Sequence, residues 1–143
     1  MMITSARQIL LALGLAGAAS LSFAQGQSSG NAHGFFQAVA KTHPVLFTDY
    51  LWAAPHTYDV VAVESSGCVS RITSQAPGQQ PLQSVLDWKN IHTVRVEGER
   101  DLRMRGRGVD LMLGFPSREL AVRMGNALSL VRRECDPITG YGF

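Results

Sequence analysis

Five arginines between residues 95 and 107 are the strongest candidate for binding chemistry in this sequence. Arg95, Arg103 and Arg105 alternate with apolar residues, and such alternation places every second side chain on one face of a strand. We therefore expect these three on the outward face of adjacent strands, with Arg100 and Arg107 in the flanking turns. Guanidinium groups collected in this way can hold carboxylates or phosphates in bidentate geometry. The five arginines are the predicted partner-binding or anion-binding residues.

The same segment carries four acidic residues, which leave a second interpretation open. In that interpretation the arginines belong to an ordinary solvated β surface whose charges are balanced, because exposed ion pairs contribute little energy. The acids concerned are Glu97, Glu99, Asp101 and Asp110.

The histidines do not predict a metal site. The set His33, His43, His56 and His92 contains no pair at the helical spacing that zinc sites use. His92 alternates with Val94 in a strand pattern, so we expect its side chain on the core side. We expect neither a metal ion nor a cofactor.

Known catalytic patterns are also unmatched. The run Ser65-Ser66-Gly67 lacks the G-x-S-x-G elbow that exposes a nucleophilic serine. The run Gly106-Arg107-Gly108 precedes a strand pattern, whereas a phosphate-binding loop precedes a helix. The sequence therefore favours a protein without catalytic activity. An envelope hydrolase with an unrecognised site stays open, and it requires a histidine and an acid that converge in a cleft.

The first 24 residues are typical of a cleavable secretory signal peptide. Arg7 supplies a positive charge, an apolar run covers residues 9–21, and the small side chains of Ser22 and Ala24 suit a signal peptidase. The run is shorter than the roughly 20 residues of a membrane-spanning helix. We therefore expect cleavage near Ala24, no permanent membrane span and a periplasmic or secreted protein, with an uncleaved anchor as the alternative.

Two cysteines, Cys68 and Cys135, remain after cleavage. In an oxidising compartment an even pair is most simply read as one disulfide. Cys135 falls within the apolar stripe of a predicted helix, so we expect Cys68 on the core face of its own strand.

Strand patterns occupy the middle of the chain. Residues rich in β-branched side chains predict strands over 58–63 and 68–73, and residues 74–81 predict an exposed loop. Alternation in three successive runs between Ile91 and Phe115, with turns at Gly98 and at 106–108, predicts an antiparallel meander.

Helical patterns flank the strands. Apolar spacing predicts a short helix that ends before Pro44, and Ser117 is a predicted N-cap of a C-terminal amphipathic helix. The apolar stripe of that second helix consists of Leu120, Met124, Ala127, Leu128, Val131 and Cys135.

These elements divide the chain into a signal peptide (1–24), a flexible leader (25–31) and a single α+β domain (32–143). The domain is predicted to hold an antiparallel sheet of about five strands, an N-terminal helix, and a C-terminal amphipathic helix packed on one face. Strands closing against a final helix are similar in layout to pleckstrin-like barrels. No family motif is matched, so that layout assigns no site residue.

The function expected from these features is binding. A net charge of +2 is too small to predict a nucleic-acid partner. We expect a small exported, non-catalytic interaction protein, for example an inhibitor or immunity factor for another exported or envelope protein. Binding of an anionic small molecule or a lipid headgroup is the alternative that the arginines leave open.

Overall fold

The computed structural model describes residues 28–138. The predicted signal peptide, the first part of the predicted leader and residues 139–143 lie outside the described residues. In chain order the helices and strands are α1 (Ser29–Thr42), β1 (Leu46–Asp49), β2 (Thr57–Ser66), β3 (Val69–Gln75), β4 (Leu82–Asp87), β5 (Ile91–Glu97), β6 (Asp101–Gly106), β7 (Val109–Gly114) and α2 (Arg118–Cys135), with a short 3₁₀ helix (Trp88–Asn90) between β4 and β5.

The strands form a seven-stranded antiparallel sheet in the order β4-β3-β2-β1-β7-β6-β5. Two meanders, β1 to β4 and β5 to β7, are joined where β1 pairs with β7 and Phe47 lies opposite Leu113. The predicted α+β class is confirmed, and the sheet has seven strands where about five were expected.

The sequence patterns missed β1 and β4, and each has a physical reason. The four residues of β1 are too few to establish an alternation. In β4 the alternation is weak: Leu86 is buried, but neighbouring Val85 is 64 % exposed. Because β4 is at the edge of the sheet, it depends on pairing with β3 more than on its own pattern.

Helix α1 begins at Ser29, inside the predicted flexible leader of residues 25–31. The Ser28 hydroxyl caps it by accepting a hydrogen bond from the Asn31 backbone N–H, and Ala32 is already buried. The helix ends before Pro44, as predicted, and the His43 backbone N–H closes its last turn on the Val39 carbonyl.

Helix α2 packs against β5, β6 and α1, so the predicted C-terminal amphipathic helix is confirmed. Ser117 caps it through a hydrogen bond from the Leu120 backbone N–H. The predicted stripe is buried apart from half-buried Ala127, and it meets a core built around Trp88 and Phe36. In the described part of the chain, neither helix is long and apolar enough to cross a membrane.

A disulfide joins Cys68 to Cys135, with their Cα atoms 5.6 Å apart. Cys68 lies in the turn between β2 and β3, so its predicted place in a strand is wrong, but it packs half-buried against the core. The turn brings the sulfur to the end of α2 without a core-facing position in either strand. The bridge closes a loop of 67 residues in sequence separation, and loop entropy assigns such a cross-link about 4 kcal/mol.

Candidate functional site

The outward face of β5 and β6 carries the predicted arginines. Side chains alternate between the faces of a strand, and the register places Arg95 directly opposite Arg103. Thr93 lies opposite Arg105 on the same face. On the other face Val94 lies opposite buried Met104. We call the outward set Arg95, Arg103 and Arg105 the arginine face.

Arg100 and Arg107 are not part of the arginine face. They occupy the turns at opposite ends of β6, and both are exposed. Their backbones serve the fold: the Arg100 carbonyl accepts a hydrogen bond from the Phe115 N–H at 2.9 Å, and the Arg107 N–H donates to the Asn90 carbonyl at 2.8 Å. The structure therefore brings three of the five predicted arginines together.

His92 is exposed, and the prediction that it faces the core is wrong. The pairing of β5 with β6 slips by one residue: Ile91 lies opposite Gly106, and Thr93 lies opposite Arg105. His92 is the extra residue of this β-bulge, which turns its side chain outward. The strands approach so closely here that a Cβ on Gly106 would lie 1.8 Å from the Asn90 carbonyl oxygen.

Arg103 is anchored within the protein. Its Nε donates to Asp110 Oδ1 at 2.6 Å, and its Nη2 donates to Asp110 Oδ2 at 3.0 Å. Glu97 Oε2 lies 3.7 Å from Nη1. The guanidinium carbon also lies 4.0 Å from the centre of the Tyr50 ring, within the range of a cation–π contact. Only 15 % of the Arg103 side chain is exposed, so this arginine has little capacity for another ligand.

The Arg103 pair also sets the protonation of Asp110. The hydrogen bonds from Arg103 hold the pKa of the Asp110 carboxyl below its ordinary value, and the positive charges of Arg103 and Arg105 add to this effect. The pKa of Arg103 is raised, mainly through its hydrogen bonds to Asp110. Both groups are therefore charged at neutral pH.

Arg105 and Arg95 are progressively less engaged. Arg105 lies 3.6 Å from Asp110 and 4.0 Å from Glu97, but 55 % of its side chain is exposed. Arg95 is exposed, and its side chain makes no ion pair within residues 28–138. The three arginines therefore differ in their contacts: Arg103 is anchored by Asp110, Arg105 is partly paired, and Arg95 forms no ion pair in the described residues.

The alternative of a balanced surface holds for part of the face. Of the four acids in this segment, Glu97 and Asp110 contact the arginine face, and both contact Arg103 and Arg105. Neither Glu99 nor Asp101 forms an ion pair in the described region. Acidic side chains therefore balance the charges of Arg103 and Arg105, whereas Arg95 forms no ion pair in the part of the chain that the structure describes.

A groove of about 400 Å³ opens on the outward face. It lies over the bulge and the arginine face, and its lining combines hydrogen-bond donors with a single carboxylate. The lining residues are His92, Thr93, Arg95, Glu97, Arg103, Arg105 and Gly106. Guanidinium groups arranged in this way can hold an anionic group.

The groove gives little support to the hypothesis of an envelope hydrolase. His92 and Glu97 both line it. No hydrogen bond connects the His92 ring to a carboxylate within residues 28–138. No cluster of three metal-ligating side chains occurs in that range either.

A second polar cluster, which sequence reasoning missed, surrounds buried His33. Because the Gly67 carbonyl can only accept, His33 Nε2 carries a hydrogen and donates to it at 2.7 Å. His33 Nδ1 then accepts from the Ser65 hydroxyl, Ser65 accepts from Ser70, and Ser70 accepts from the Trp88 indole N–H at 2.8 Å. Every donor has a partner, which is the pattern of a structural network.

Part of this cluster could have been predicted from the sequence. His33 shares the buried stripe of α1 with Phe36 and Ala40, at helical spacing. The contact with Ser65 depends on how α1 packs against β2, which local patterns do not show. The groove on the outward face does not include Ser65.

Comparison with known proteins bears on the fold. No protein-family model and no curated protein matches the chain. A solved structure described as "PH domain from PfAPH" matches with a TM-score of 0.52 and 14 % sequence identity, over 71 % of this chain and 89 % of that chain. The chain has a PH-like fold. The layout predicted from strands closing against a final helix is thereby confirmed, and at this identity the PH-like fold assigns no site residue.

Replacing Asp110 by Asn tests the anchor of the arginine face. We expect Asp110→Asn to lower the free energy of unfolding at neutral pH by about 1–2 kcal/mol, because it removes a charge from a half-buried bidentate pair. A lowered folded-state pKa stabilises the protein above the unfolded-state pKa and ceases to do so as the pH falls through the folded value. The difference between wild type and variant should therefore shrink below about pH 4.

Denaturant unfolding from neutral to acidic pH measures this difference. Asp101→Asn is the matched control, because Asp101 lies on β6, two residues before Arg103 on the same face, and forms no ion pair in the described residues. It should change stability by less than about 0.5 kcal/mol. Equal losses in the two variants would contradict the role assigned to Asp110.

Proposed function

We propose that this protein is an exported, non-catalytic binding protein whose arginine face recognises an acidic surface on another exported protein. The observation that carries the proposal is Arg95, an exposed guanidinium that forms no ion pair within residues 28–138 and lines a groove beside two arginines that are paired with acids. An isolated positive group in a fixed frame favours recognition of an anion over simple solvation.

The biological role that we propose is that of an inhibitor or immunity factor. Such a protein acts through a surface, and it needs a stable frame more than a reaction centre. The anchored Arg103 ties β6 to β7 beside the groove, and the disulfide ties α2, which packs against β5 and β6, to the turn between β2 and β3.

A second candidate is the binding of an anionic small molecule or a lipid headgroup. The concave shape of the groove, about 400 Å³ in volume, favours it. The two candidates differ in what stabilises the protein: a small anion or headgroup should raise the melting temperature by itself, whereas a protein partner requires a larger contact area.

Capture from an envelope extract tests the role of the arginine face. We expect immobilised wild-type protein to retain an exported partner, and we expect the double variant Arg95→Gln/Arg105→Gln to retain about tenfold less, because two exposed donors are lost. Binding is then measured again with the purified partner by calorimetry.

The matched control is Arg71→Gln/Arg118→Gln, which makes the same change of charge at exposed sites outside the groove. This control should bind like wild type. If the double variant on the arginine face retains the same partners in the same amounts as wild type, the face has no role in binding.

Export is tested at the N-terminus. The proposed signal peptide predicts that protein recovered from the periplasm or medium begins at Gln25, because signal peptidase cuts after a small residue such as Ala24. Ala24→Arg should block cleavage, whereas Phe23→Leu, at a position without that size requirement, should be processed normally. N-terminal sequencing reads the outcome, and a full-length product that starts at Met1 in wild-type cells would contradict cleavage.

A further inference from the structure

Arg95 and Arg103 form a like-charged pair on adjacent strands. They lie directly opposite each other in the register of β5 and β6. Like charges at such positions repel and destabilise a sheet. Asp110 and Glu97 compensate Arg103, but neither is paired with Arg95. An anion that binds Arg95 would complete the compensation of the pair.

The hydrogen-bond donors near Arg95 are available to such an anion. The Thr93 hydroxyl lies on the same face of β5, two residues away, and the β-bulge turns the His92 ring into the same groove. The side chains of Thr93 and His92 make no hydrogen bond within the described residues. By contrast, Arg103 already donates two hydrogen bonds to Asp110, so it orients the site and does not contact the ligand.

The charges around the groove limit which anion fits. Three guanidinium groups face two carboxylates, those of Glu97 and Asp110, and one positive charge is left over. A singly charged anion neutralises this remainder, whereas a phosphate monoester at neutral pH carries close to two negative charges. The planar fork of a guanidinium also matches the two oxygens of a carboxylate.

We propose that the groove is a carboxylate site, in which one Asp or Glu side chain of the protein partner binds Arg95, with Thr93 and His92 beside it and Arg105 at the rim. This inference rests on the proposed function, since it names the group that the partner presents. It also assigns separate roles to the arginines: Arg95 binds the carboxylate, Arg105 contributes a charge at the rim of the groove, and Arg103 positions the site.

Three short peptides of serines, acetylated at the N-terminus and amidated at the C-terminus, test the assignment, with Glu, Gln or phosphoserine at the central position. They are titrated into ¹⁵N-labelled protein that starts at Gln25, and backbone amide shifts are recorded. The Glu peptide should give saturable shifts at Thr93 and Arg95, and the Gln peptide should give none. The phosphoserine peptide should bind more weakly than the Glu peptide, because the Glu97 carboxylate disfavours a second negative charge.

Three variants sharpen the test. Arg95→Gln should weaken binding of the Glu peptide about tenfold, whereas Arg107→Gln, in the turn outside the groove, should leave it unchanged. Glu97→Gln removes the carboxylate that lines the groove, and it should shift the preference toward the phosphoserine peptide. Backbone spectra of each variant verify that the fold is retained.

The failures of the two proposals are distinguishable. Tighter binding of the phosphoserine peptide to wild type, or equal binding of the Glu peptide to wild type and Arg95→Gln, overturns the carboxylate site. If the Glu peptide binds as expected while extract capture is unaffected by the double variant, the carboxylate site stands and the proposed protein partner fails.

Discussion

The bidentate ion pair between Arg103 and Asp110 organises the outward face of this protein. It joins β6 to β7, and the ring of Tyr50 covers the guanidinium from the chain that follows β1. A pair at this depth stabilises the fold only modestly, because its Coulomb energy is offset by desolvation. Its larger effect is geometric: it fixes Arg103 and engages Asp110, whereas Arg95, directly opposite, forms no ion pair in the described residues.

Other contacts hold the two helices in place. A disulfide ties the end of α2 to the turn between β2 and β3, and the Gly67 carbonyl in that turn accepts a hydrogen bond from His33 of α1. Trp88, between β4 and β5, reaches the same cluster through Ser70. These contacts hold both helices against the sheet, and Arg95 and Arg105 on the outward face of β5 and β6 are exposed to solvent.

Local patterns predicted the elements whose two faces differ strongly. The meander of β5 to β7 and the stripe of α2 were predictable, because burial on one face imposes a regular period on the sequence. Strand β4 was not, since an edge strand with exposed Val85 has a weak pattern. The bulge at His92 was missed for a related reason: one inserted residue reverses the direction of a side chain without changing the composition.

The sequence predicted which arginines form the candidate site, but it did not predict what each of them does. Alternation alone placed Arg95, Arg103 and Arg105 on one face. The assignment of Asp110 to Arg103 depends on the register between β6 and β7, in which Asp110 lies diagonal to that arginine. Register is a tertiary property. The sequence therefore identifies the charged residues, but it does not determine which arginine of the face stays unpaired among the described residues.

The central claim is that Arg103 is fixed while Arg95 is available. The most direct measurement is solvent exchange of the arginine Nε–Hε protons by ¹⁵N–¹H correlation spectroscopy at neutral pH. Arg103 Hε should exchange many times more slowly than Arg95 Hε, because it is held by Asp110 Oδ1 in a half-buried pair. Equal, rapid exchange of the two protons would contradict the account.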